Sequence, residues 1–437
     1  MVETKLRLIS EIAKQGDDVQ LNNLMRLFDQ DGLRECFYML KKNKAPGIDG
    51  VTFEAYAQDL EANLADLVYR MKRFSYQPQP VRRTYIPKSD GGERPLGIPA
   101  LEDKIVQLGI SRILTVIYEP IFLDCSFGYR PGLSCHGALD RLDKIIMTLP
   151  TNHIIDADLK GFFDHVDHDH LIDFLSIRIN DKHLLRYIVR FLKAGIMEDG
   201  MWQASEVGTP QGGNMSPLLA NIYLHYVLDK WLDEVVRPHC RGKVEMVRFA
   251  DDFVICVQFK DDAVRILPAL TKRLAKYGLT LSPDKTKQVE FGRYAEKNAR
   301  HRNQKPDTFD FLSITHFCDK TRKGGFKVGR TTKRKRFRES IQKMNTWLKS
   351  VRSCVLVQDW WPILCSKLRG HYQYYGVSGN YRGIQRFYFQ TVRLVFKWLN
   401  RRSQKKSFNW DQFNRYLTWY PLPKPKICHN LYTLYGY

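Results

Sequence analysis

The spacing of apolar residues divides the first part of the chain into helices and a hairpin. Over residues 1 to about 80, apolar side chains recur every three or four positions, which predicts helices, and the segment KAPGIDGVT predicts a loop between them. Residues 81–100 alternate around the turn SDGG, which predicts a β-hairpin. A further helical stretch is predicted over residues 101–122.

The middle of the chain alternates between apolar runs and helical spacing. NHIIDAD, VEMVRFA and FVICVQF are short apolar runs and predict three strands, the last two joined by an acidic turn. Helices are predicted over residues 171–194 and for the segments LLANIYLHYVLDKWLDEVV and AVRILPALTKRLAKYGL. FDFLSITHF predicts one more short strand. We therefore expect a mixed α/β core flanked by helical units.

The last part of the chain is first basic and then helical. Residues 319–336 predict a basic connector, and three helical segments follow it, FRESIQKMNTWLKSVR, WWPILCSKLRGHYQYYG and IQRFYFQTVRLVFKWLNRR. A chain of 437 residues, 43% of them hydrophobic, exceeds one compact domain. We divide it into residues 1–80, 81–318 and 319–437.

Positive charge is concentrated in the last of these parts. The formal net charge is +22, and residues 319–437 contain 26 Lys and Arg but 4 Asp and Glu, whereas residues 1–318 contain 43 of each kind. Such a segregated field suits a polyanion, and nucleic acid is the expected partner. Solubility alone does not require segregation, and no lipidation motif or strongly amphipathic anchor indicates an anionic membrane.

The sequence favours an intracellular, cytoplasmic protein of bacterial type. It has no run of about 18 apolar residues, which a transmembrane helix requires. The charged start MVETKLRLISEIAKQGDD lacks the apolar core of a signal peptide. The nine cysteines form no C-x-x-C pair, so neither a zinc ribbon nor a disulfide framework is expected.

Paired carboxylates at the ends of apolar strands are the sharpest chemical feature. Asp251 and Asp252 lie between two apolar strands, and Asp156 and Asp158 share one face of another by the two-residue period. Buried carboxylates need a compensating cation. Phosphoryl transfer uses hard divalent ions held by oxygen ligands, and two strands that each deliver an aspartate meet that need.

Two loops carry groups suited to a nucleotide. The three glycines of GTPQGGNMSP allow the backbone to approach a nucleotide or base pair closely, although a tight helix entry uses glycines in the same way. Lys88 and Arg94 flank the SDGGE turn and can hold a triphosphate as charge-assisted donors.

These blocks resemble group II intron-encoded reverse transcriptases, also called intron maturases, over nearly the whole chain. KNKAPGIDGVT is similar to the N-terminal extension, IPKSDGGERPLGIPALEDKIVQ and FGYRPGLSCHGAL to the fingers blocks, and DADLKGFFDHVDH, GTPQGGNMSPLLANIYL, RFADDFVI and GLTLSPDKTK to palm motifs A to D. LRGHYQYYGV and KWLNRRSQKKSFNWDQFNRYL resemble the thumb, called domain X.

The resemblance implies an α+β fold of the right-hand polymerase type. The N-terminal extension and the start of the fingers would span residues 1–80. Fingers and palm, an antiparallel sheet plus helices, would span 81–318. A basic connector, a helical thumb and a short tail would span 319–437. The cysteine-rich endonuclease domain of many relatives is not expected, so priming would rely on another nick or a replication fork.

The resemblance also implies an RNA-directed DNA polymerase with two Mg²⁺ ions, for which Mn²⁺ can substitute. By motif, the metal ligands are the carboxylates of Asp158, Asp251 and Asp252 and the carbonyl of Leu159. Asp156 is the lower-ranked rival, because the key Asp of motif A directly precedes Leu-Lys-Gly-Phe-Phe. The dNTP contacts are Lys88 and Arg94 on the triphosphate, Phe163 as a steric gate against the ribose 2′-OH, Gln211 beside the base pair and Lys285 near the pyrophosphate. Phe162 either shares the gate or belongs to the core.

The implied partners are an RNA template, a DNA or RNA primer, dNTPs and structured group II intron RNA, bound by a monomer or dimer without a membrane. We expect the basic end of the chain to contact nucleic acid through Arg330, Lys333, Arg334, Lys335, Arg336, Arg338, Arg401, Arg402, Lys405 and Lys406.

Three positions depart from the family pattern. Phe249 stands where Tyr is common before the motif C carboxylates, and Pro283-Asp284 precedes Lys285 where Glu is usual. Ser313 stands where the block near the primer usually has Gly.

Other functions remain open at this point. A splicing cofactor that binds RNA without polymerising would be expected to have damaged carboxylates, and a domesticated enzyme of DNA repair or defence is not separable by sequence. An RNA-dependent RNA polymerase is disfavoured, because Phe163 leaves no room for the 2′-OH.

Overall fold

Helices are the commonest elements of the fold. The computed structural model describes residues 2–16, 19–87, 92–198, 201–204, 207–209, 212–402 and 407–432. In chain order the helices are α1 (Val2–Ala13), α2 (Gln30–Met39), α3 (Phe53–Gln58), α4 (Leu60–Lys72), α5 (Leu101–Tyr118), α6 (Cys135–Thr148), α7 (His168–Arg178), α8 (Lys182–Leu192), α9 (Ser216–Leu224), α10 (Lys260–Lys276), α11 (Ala295–His301), α12 (Arg334–Val351), α13 (Val357–Tyr375), α14 (Tyr381–Leu399) and α15 (Trp410–Trp419).

The strands form three sheets. They are β1 (Val81–Pro87), β2 (Glu93–Ile98), β3 (His153–Asp158), β4 (Ile196–Glu198), β5 (Met201–Gln203), β6 (Val244–Phe249), β7 (Asp252–Val257), β8 (Lys287–Glu290), β9 (Phe309–Phe311), β10 (Ile314–Lys320) and β11 (Phe326–Thr332). The hairpin sheet has the order β2-β1-β4-β5, the central sheet β6-β7-β3-β8 and the small sheet β11-β10-β9. Except for the β1–β4 pair, the pairings are antiparallel.

The central sheet is buried on both faces. Ile155 and Phe253 point into the larger apolar core, which α5, α9 and α10 also line. Ile154 and Val254 point to the opposite face, where they pack with residues of α6 and the small sheet. Because side chains alternate along a strand, Asp156 and Asp158 share this second face. The strand ends that carry the acidic residues are therefore held rigidly between two layers.

The C-terminal bundle consists of α12 to α15 around its own apolar core. Trp398 Nε1 on α14 donates to Asn345 Oδ1 on α12 at 2.9 Å. At the start of the bundle, Asn380 and Thr332 exchange two hydrogen bonds, at 2.8 and 2.9 Å. A fully buried ion pair between Arg330 on β11 and Asp143 on α6 lies at the same junction with the small sheet.

Most elements predicted from the sequence are present. The N-terminal helices, the β1–β2 hairpin and the strands β3, β6 and β7 are confirmed. The helix predicted over residues 171–194 is two helices. The first, α7, ends at Arg178, and Asp181 caps α8 by accepting from the amides of His183 and Leu184. The prediction of a basic connector over residues 319–336 is wrong, since these residues form the last two positions of β10, all of β11 and the start of α12. The short strands β4, β5 and β8 were not predicted.

Over the part of the chain that the structure describes, no helix is both long enough and apolar enough to cross a membrane.

Candidate active site

Two strand ends bring three aspartates together. Asp158 is the last residue of β3 and stands directly opposite Asp252, the first residue of β7. Asp251 is the second residue of the two-residue turn that joins β6 to β7, and it directly precedes Asp252. Directly opposed residues of an antiparallel pair have Cβ atoms about 4.5–5.5 Å apart. The Asp158 and Asp252 side chains therefore project side by side from one edge of the central sheet.

The surroundings of these aspartates favour a bound cation. Burial raises the pKa of Asp251, and the Asp158 carboxylate raises it further. Burial raises the pKa of Asp252 to about 7, with the negative charge of Asp156 as the next cause. Burial and mutual repulsion therefore disfavour the ionised forms of these carboxyls, and a bound divalent ion would compensate their charge.

The ligand set suits a hard divalent ion that takes part of its coordination from substrate. Within the described ranges, no three Asp, Glu, His or Cys side chains lie close enough to form a complete metal site. Instead, the Lys285 ammonium lies 2.7 Å from Asp158 Oδ2. Mg²⁺ in polymerase sites uses one or two carboxylates together with waters and substrate phosphates. Asp158, Asp251 and Asp252 fit that partial set, and Lys285 balances the charge of the free protein.

Asp156 makes contacts of its own, although its charge also acts on Asp252. Its side chain is buried, accepts a hydrogen bond from the Asp310 amide at 3.4 Å and lies 4.0 Å from Lys287 Nζ. Burial raises its pKa to about 6. Asp158 is more exposed and stands at the strand end, so the geometry favours Asp158 over Asp156 as the motif A ligand.

The Leu159 carbonyl is available beside Asp158. The backbone continues β3 into a bridge with Leu281, in which the Ser282 amide donates to the Asp158 carbonyl at 2.8 Å and the Lys160 amide donates to the Thr280 carbonyl at 2.9 Å. Neither bond uses Leu159, so its carbonyl points away from the Leu281 segment and towards the β7 side. This orientation suits the metal-ligand role that the family resemblance implies.

The two phenylalanines after Asp158 lie in different environments. Phe162 is 2% exposed and belongs to the larger core, whereas Phe163 is only partly buried. The Phe163 carbonyl accepts from the Thr209 amide at 2.7 Å, and His168 Nε2 donates to the Gly208 carbonyl at 2.6 Å. These bonds fix the described start of the Gly-rich loop against the Phe163 turn. Phe162 is therefore a core residue, and Phe163 remains the candidate gate; Gln211 lies outside the described residues.

Arg94, on the hairpin sheet, acts electrostatically on Asp251. Its side chain is exposed on β2, and its positive charge acts against the raised pKa of Asp251. Tyr129, which the sequence did not single out, is 54% exposed; partial burial raises its pKa, and the charge of Asp251 contributes to that rise. Lys88, the other predicted triphosphate contact, lies outside the described residues.

The turn between β9 and β10 also borders the aspartates, next to Asp252. Leu312 and Ser313 have φ of +50° and +65°, and the Leu312 amide lies 3.5 Å from Asp252 Oδ2. Tyr374 Oη on α13 donates to the Leu312 carbonyl at 3.2 Å. Ser313 thus adopts a conformation that glycine adopts without strain, which accounts for the usual Gly at this position.

The predicted nucleic-acid contacts have different outcomes. The prediction that Arg330 contacts nucleic acid was wrong, because its side chain is 1% exposed and paired with Asp143 inside the protein. Lys333 is half-buried and 3.0 Å from Asp310. The exposed members are Arg334, Lys335, Arg336 and Arg338 on α12 and Arg401 and Arg402 after α14. Lys405 and Lys406 lie outside the described residues.

Sequence reasoning missed an exposed basic stripe on α14. Its members are Arg382, Arg386, Arg393 and Lys397. They lie opposite the buried side of the helix, which includes Ile384, Thr391 and Val395. Within α14 there is no acidic residue. The spacing of four, seven and four residues was the signal in the sequence that identifies one helical face.

Comparisons with known proteins identify related chains. A family model described as reverse transcriptase (RNA-dependent DNA polymerase) matches residues 86–316. The group II intron-encoded protein LtrA of Lactococcus lactis subsp. cremoris is 38% identical over 244 residues, which are 55% of this chain and 40% of LtrA. The protein YkfC of Escherichia coli (strain K12) is 34% identical over 285 residues, covering 58% of this chain and 74% of YkfC. The chain thus spans under half the length of LtrA.

Proposed function

Because the chain belongs to the reverse transcriptase (RNA-dependent DNA polymerase) family, in its group II intron-encoded branch, we propose that it extends a primer 3′-OH with dNTPs on an RNA template. The observation that carries this proposal is the meeting of Asp158, Asp251 and Asp252 at one sheet edge. The family generally uses divalent metal ions, and we propose two Mg²⁺ ions, with Mn²⁺ as a substitute. Bound there, the ions would stabilise negative charge on the transferred phosphoryl group.

In this proposal the carboxylates of Asp158, Asp251 and Asp252 hold the ions, and the Leu159 carbonyl adds a ligand. No histidine base is required, because positioning and electrostatic stabilisation account for most catalysis of phosphoryl transfer. His168 instead fixes the Gly-rich loop through the Gly208 carbonyl.

Arg94 and Lys285 are the proposed contacts to the nucleotide. Arg94 would hold the triphosphate, because its guanidinium is exposed near Asp251. Lys285 would leave Asp158 for the departing pyrophosphate, because its ammonium is exposed and within hydrogen-bond distance of the ligand set. Phe163 would exclude ribonucleotides by contact with the 2′-OH, and its partly buried ring beside the Gly-rich loop supports this role.

We propose the following domain organisation. The N-terminal helices and hairpin sheet correspond to the N-terminal extension and fingers, the central and small sheets to the palm, and the C-terminal bundle to the thumb. The thumb would then begin near Lys333, after β11, rather than at residue 319. Its α12 residues and the α14 basic stripe would bind nucleic-acid phosphates.

A second activity, binding of structured intron RNA to assist splicing, is favoured by the same basic surface. The α14 stripe has four exposed cations and no acidic residue within its helix, which suits a phosphate backbone. Both activities can belong to one chain. A role in DNA repair or defence would use the same polymerase chemistry.

The test is primer extension on poly(rA)/oligo(dT) with dTTP, in Mg²⁺, in Mn²⁺ and in EDTA. The proposal expects extension with either ion and none in EDTA. If the protein extends no primer with any ion but binds structured RNA tightly, the polymerase function is refuted and assistance of splicing becomes the proposed function.

A further inference from the structure

Arg248 on β6 is fully buried, and all five of its N–H donors are used. Its Nε and Nη2 donate to the two carboxylate oxygens of Asp229 at 2.7 and 2.5 Å. Nη2 also donates to Ser126 Oγ at 2.7 Å. Nη1 donates to Asn221 Oδ1 and to the Ala250 carbonyl oxygen, each at 3.0 Å. Because a guanidinium has five donors in a fixed planar fork, this arrangement has a single geometry.

The bond to Ala250 acts directly on the turn that presents Asp251. Ala250 has a φ of +58°, a conformation that a residue with a Cβ adopts only when its surroundings impose it. The peptide unit is planar, so fixing the Ala250 carbonyl oxygen also fixes the amide nitrogen and Cα of Asp251. Arg248 therefore determines the direction from which the Asp251 side chain leaves the turn.

A second segment clamps the same turn from outside. The Arg248 amide donates to the Cys125 carbonyl at 2.7 Å, and the Arg248 carbonyl accepts from the Phe127 amide at 2.8 Å. A Cβ on Gly128 would lie 2.3 Å from the Ala250 nitrogen, so the two backbones are in direct contact. Asn221 Nδ2 donates to the Gly128 carbonyl and so joins this segment to the arginine network.

The helix that carries Asn221 changes from α-helical to π-helical geometry before Asp229, the residue that pairs with Arg248. Asn221 lies in α9, and Asp229 ends a π-helical stretch, His225–Asp229, that continues it. With about 3.6 residues per turn, positions eight apart would lie roughly 80° apart around a regular α-helix. The wider π-helical turns reduce that angle and allow both side chains to reach one guanidinium.

We propose that Arg248, held by Asp229, Asn221 and Ser126, is a positioning residue that sets the Asp251 carboxylate for metal binding and phosphoryl transfer. The proposal rests on the polymerase function proposed above. Arg248 touches neither substrate nor metal and acts through the Ala250 peptide. Its substitution should therefore lower kcat and weaken metal binding, with little effect on the KM for dNTP or template–primer.

The primary test compares Arg248→Lys with Arg330→Lys. Both arginines are fully buried and paired with a fully buried aspartate, but Arg330 lies at the junction with the C-terminal bundle. Lysine keeps the charge and loses the fork. We expect similar losses of thermal stability, but a loss of kcat of about 10- to 100-fold only for Arg248→Lys, as for a displaced catalytic group. Equal kcat values in the two variants would overturn the proposal.

Metal binding supplies a readout that does not require turnover. The rise in thermal midpoint with Mg²⁺ should need a higher ion concentration in Arg248→Lys than in the wild type or Arg330→Lys. If Arg248→Lys does not fold, Ser126→Ala and Asn221→Ser replace it. Each removes one acceptor of the guanidinium, and Asn221→Ser also removes the donor to the Gly128 carbonyl. A reduced kcat and a weaker Mg²⁺ response in these folded variants would support the proposal, and wild-type values in both would overturn it. A wild type that responds to Mg²⁺ but does not extend a primer would refute the polymerase function and not the positioning of Asp251.

Discussion

The ammonium of Lys285 lies 2.7 Å from the carboxylate of Asp158, at the position where a bound cation would neutralise that carboxylate. The interaction raises the pKa of Lys285, first through the hydrogen bond to Asp158 and further through the charges of Asp251 and Asp252. The lysine and a metal ion therefore compete for one ligand. Binding of metal and nucleotide would release Lys285 towards the phosphates.

Removing Lys285 should have opposite effects on metal binding and turnover. In Lys285→Met without nucleotide, we expect the Mg²⁺-induced rise in thermal midpoint at lower ion concentrations, because the Asp158 carboxylate no longer has a competing ammonium. On primer extension we expect a kcat about 10²- to 10³-fold lower, the usual cost of removing one group that stabilises developing negative charge. Lys285→Arg, which keeps the charge, serves as the control. An unchanged Mg²⁺ titration in Lys285→Met would contradict the competition.

The pH dependence of stability should depend on metal. The pKa of Asp252 is raised to about 7 and that of Asp156 to about 6, chiefly by burial. A carboxyl whose folded pKa lies above its unfolded value of about 3.9 stabilises the fold below that value and loses this contribution as the pH rises through the folded pKa. For the metal-free protein we expect a fall between about pH 4 and pH 7, to which Asp252 contributes about 2–4 kcal/mol.

Mg²⁺ should reverse part of that loss, because it binds the ionised carboxylates of the folded state. Thermal denaturation at pH 5, 6, 7 and 8, with and without Mg²⁺, measures the effect. Asp252→Asn should reduce both the pH dependence and the Mg²⁺ response. Asp103→Asn is the matched control, since burial also raises the pKa of Asp103 to about 7 but Tyr76 and the Gln79 amide bind it. A Mg²⁺ response of equal size at pH 5 and pH 8 would refute this account.

Substitutions of the two adjacent phenylalanines should have different effects, one on the preference for deoxynucleotides and the other on the free energy of unfolding. Phe163→Val should lower the preference for dTTP over UTP about 10- to 100-fold, because the smaller side chain leaves room for the 2′-OH. Phe162→Val should leave the preference unchanged and lower the unfolding free energy by about 2–4 kcal/mol, because it opens a cavity in the core. Single-nucleotide incorporation kinetics and thermal denaturation make the comparison. A lost preference in Phe162→Val alone would reverse the assignment.

The α14 basic stripe should contribute to nucleic-acid affinity through phosphates. Replacing Arg382, Arg386, Arg393 and Lys397 by Gln should lower the slope of log affinity against log salt by about 0.7–0.9 for each lost phosphate contact. The control replaces four exposed lysines elsewhere, Lys14, Lys72, Lys272 and Lys276. Binding of structured RNA and of template–primer is measured separately over a range of salt concentrations. Equal slopes for the two quadruple variants would show that the stripe makes no phosphate contacts.

The sequence predicted the elements whose signal is local. The apolar runs of β3, β6 and β7 and the aspartates at their ends are contiguous in sequence, so alternation and the acidic turn sufficed. Register was not local, since the pairing of Asp158 with Asp252 joins residues far apart in the chain. The family motifs implied only that Asp158, Asp251 and Asp252 share one metal site, and the register that sets Asp158 opposite Asp252 comes from the structure.

The errors concern long-range burial. Arg330 and the segment 319–336 were interpreted by charge, and nothing near them in sequence indicates that Asp143 neutralises Arg330 inside the protein. Arg248 was overlooked for the same reason, because its side-chain acceptors come from two segments outside its own strand, the loop with Ser126 and the helical stretch with Asn221 and Asp229. The sequence does not distinguish a buried arginine from an exposed one, and only the fold shows which is which.

The most direct test of the proposed function is RNA-templated extension of oligo(dT) on poly(rA) by the Asp251→Asn, Asp252→Asn double variant in Mg²⁺. A control carries Asp173→Asn and Asp261→Asn, two exposed aspartates on α7 and α10. The account predicts extension by the wild type and the control and a loss of at least about 1000-fold in the double variant, because the proposed metal ligands are removed. Extension by the double variant at the wild-type rate would contradict it.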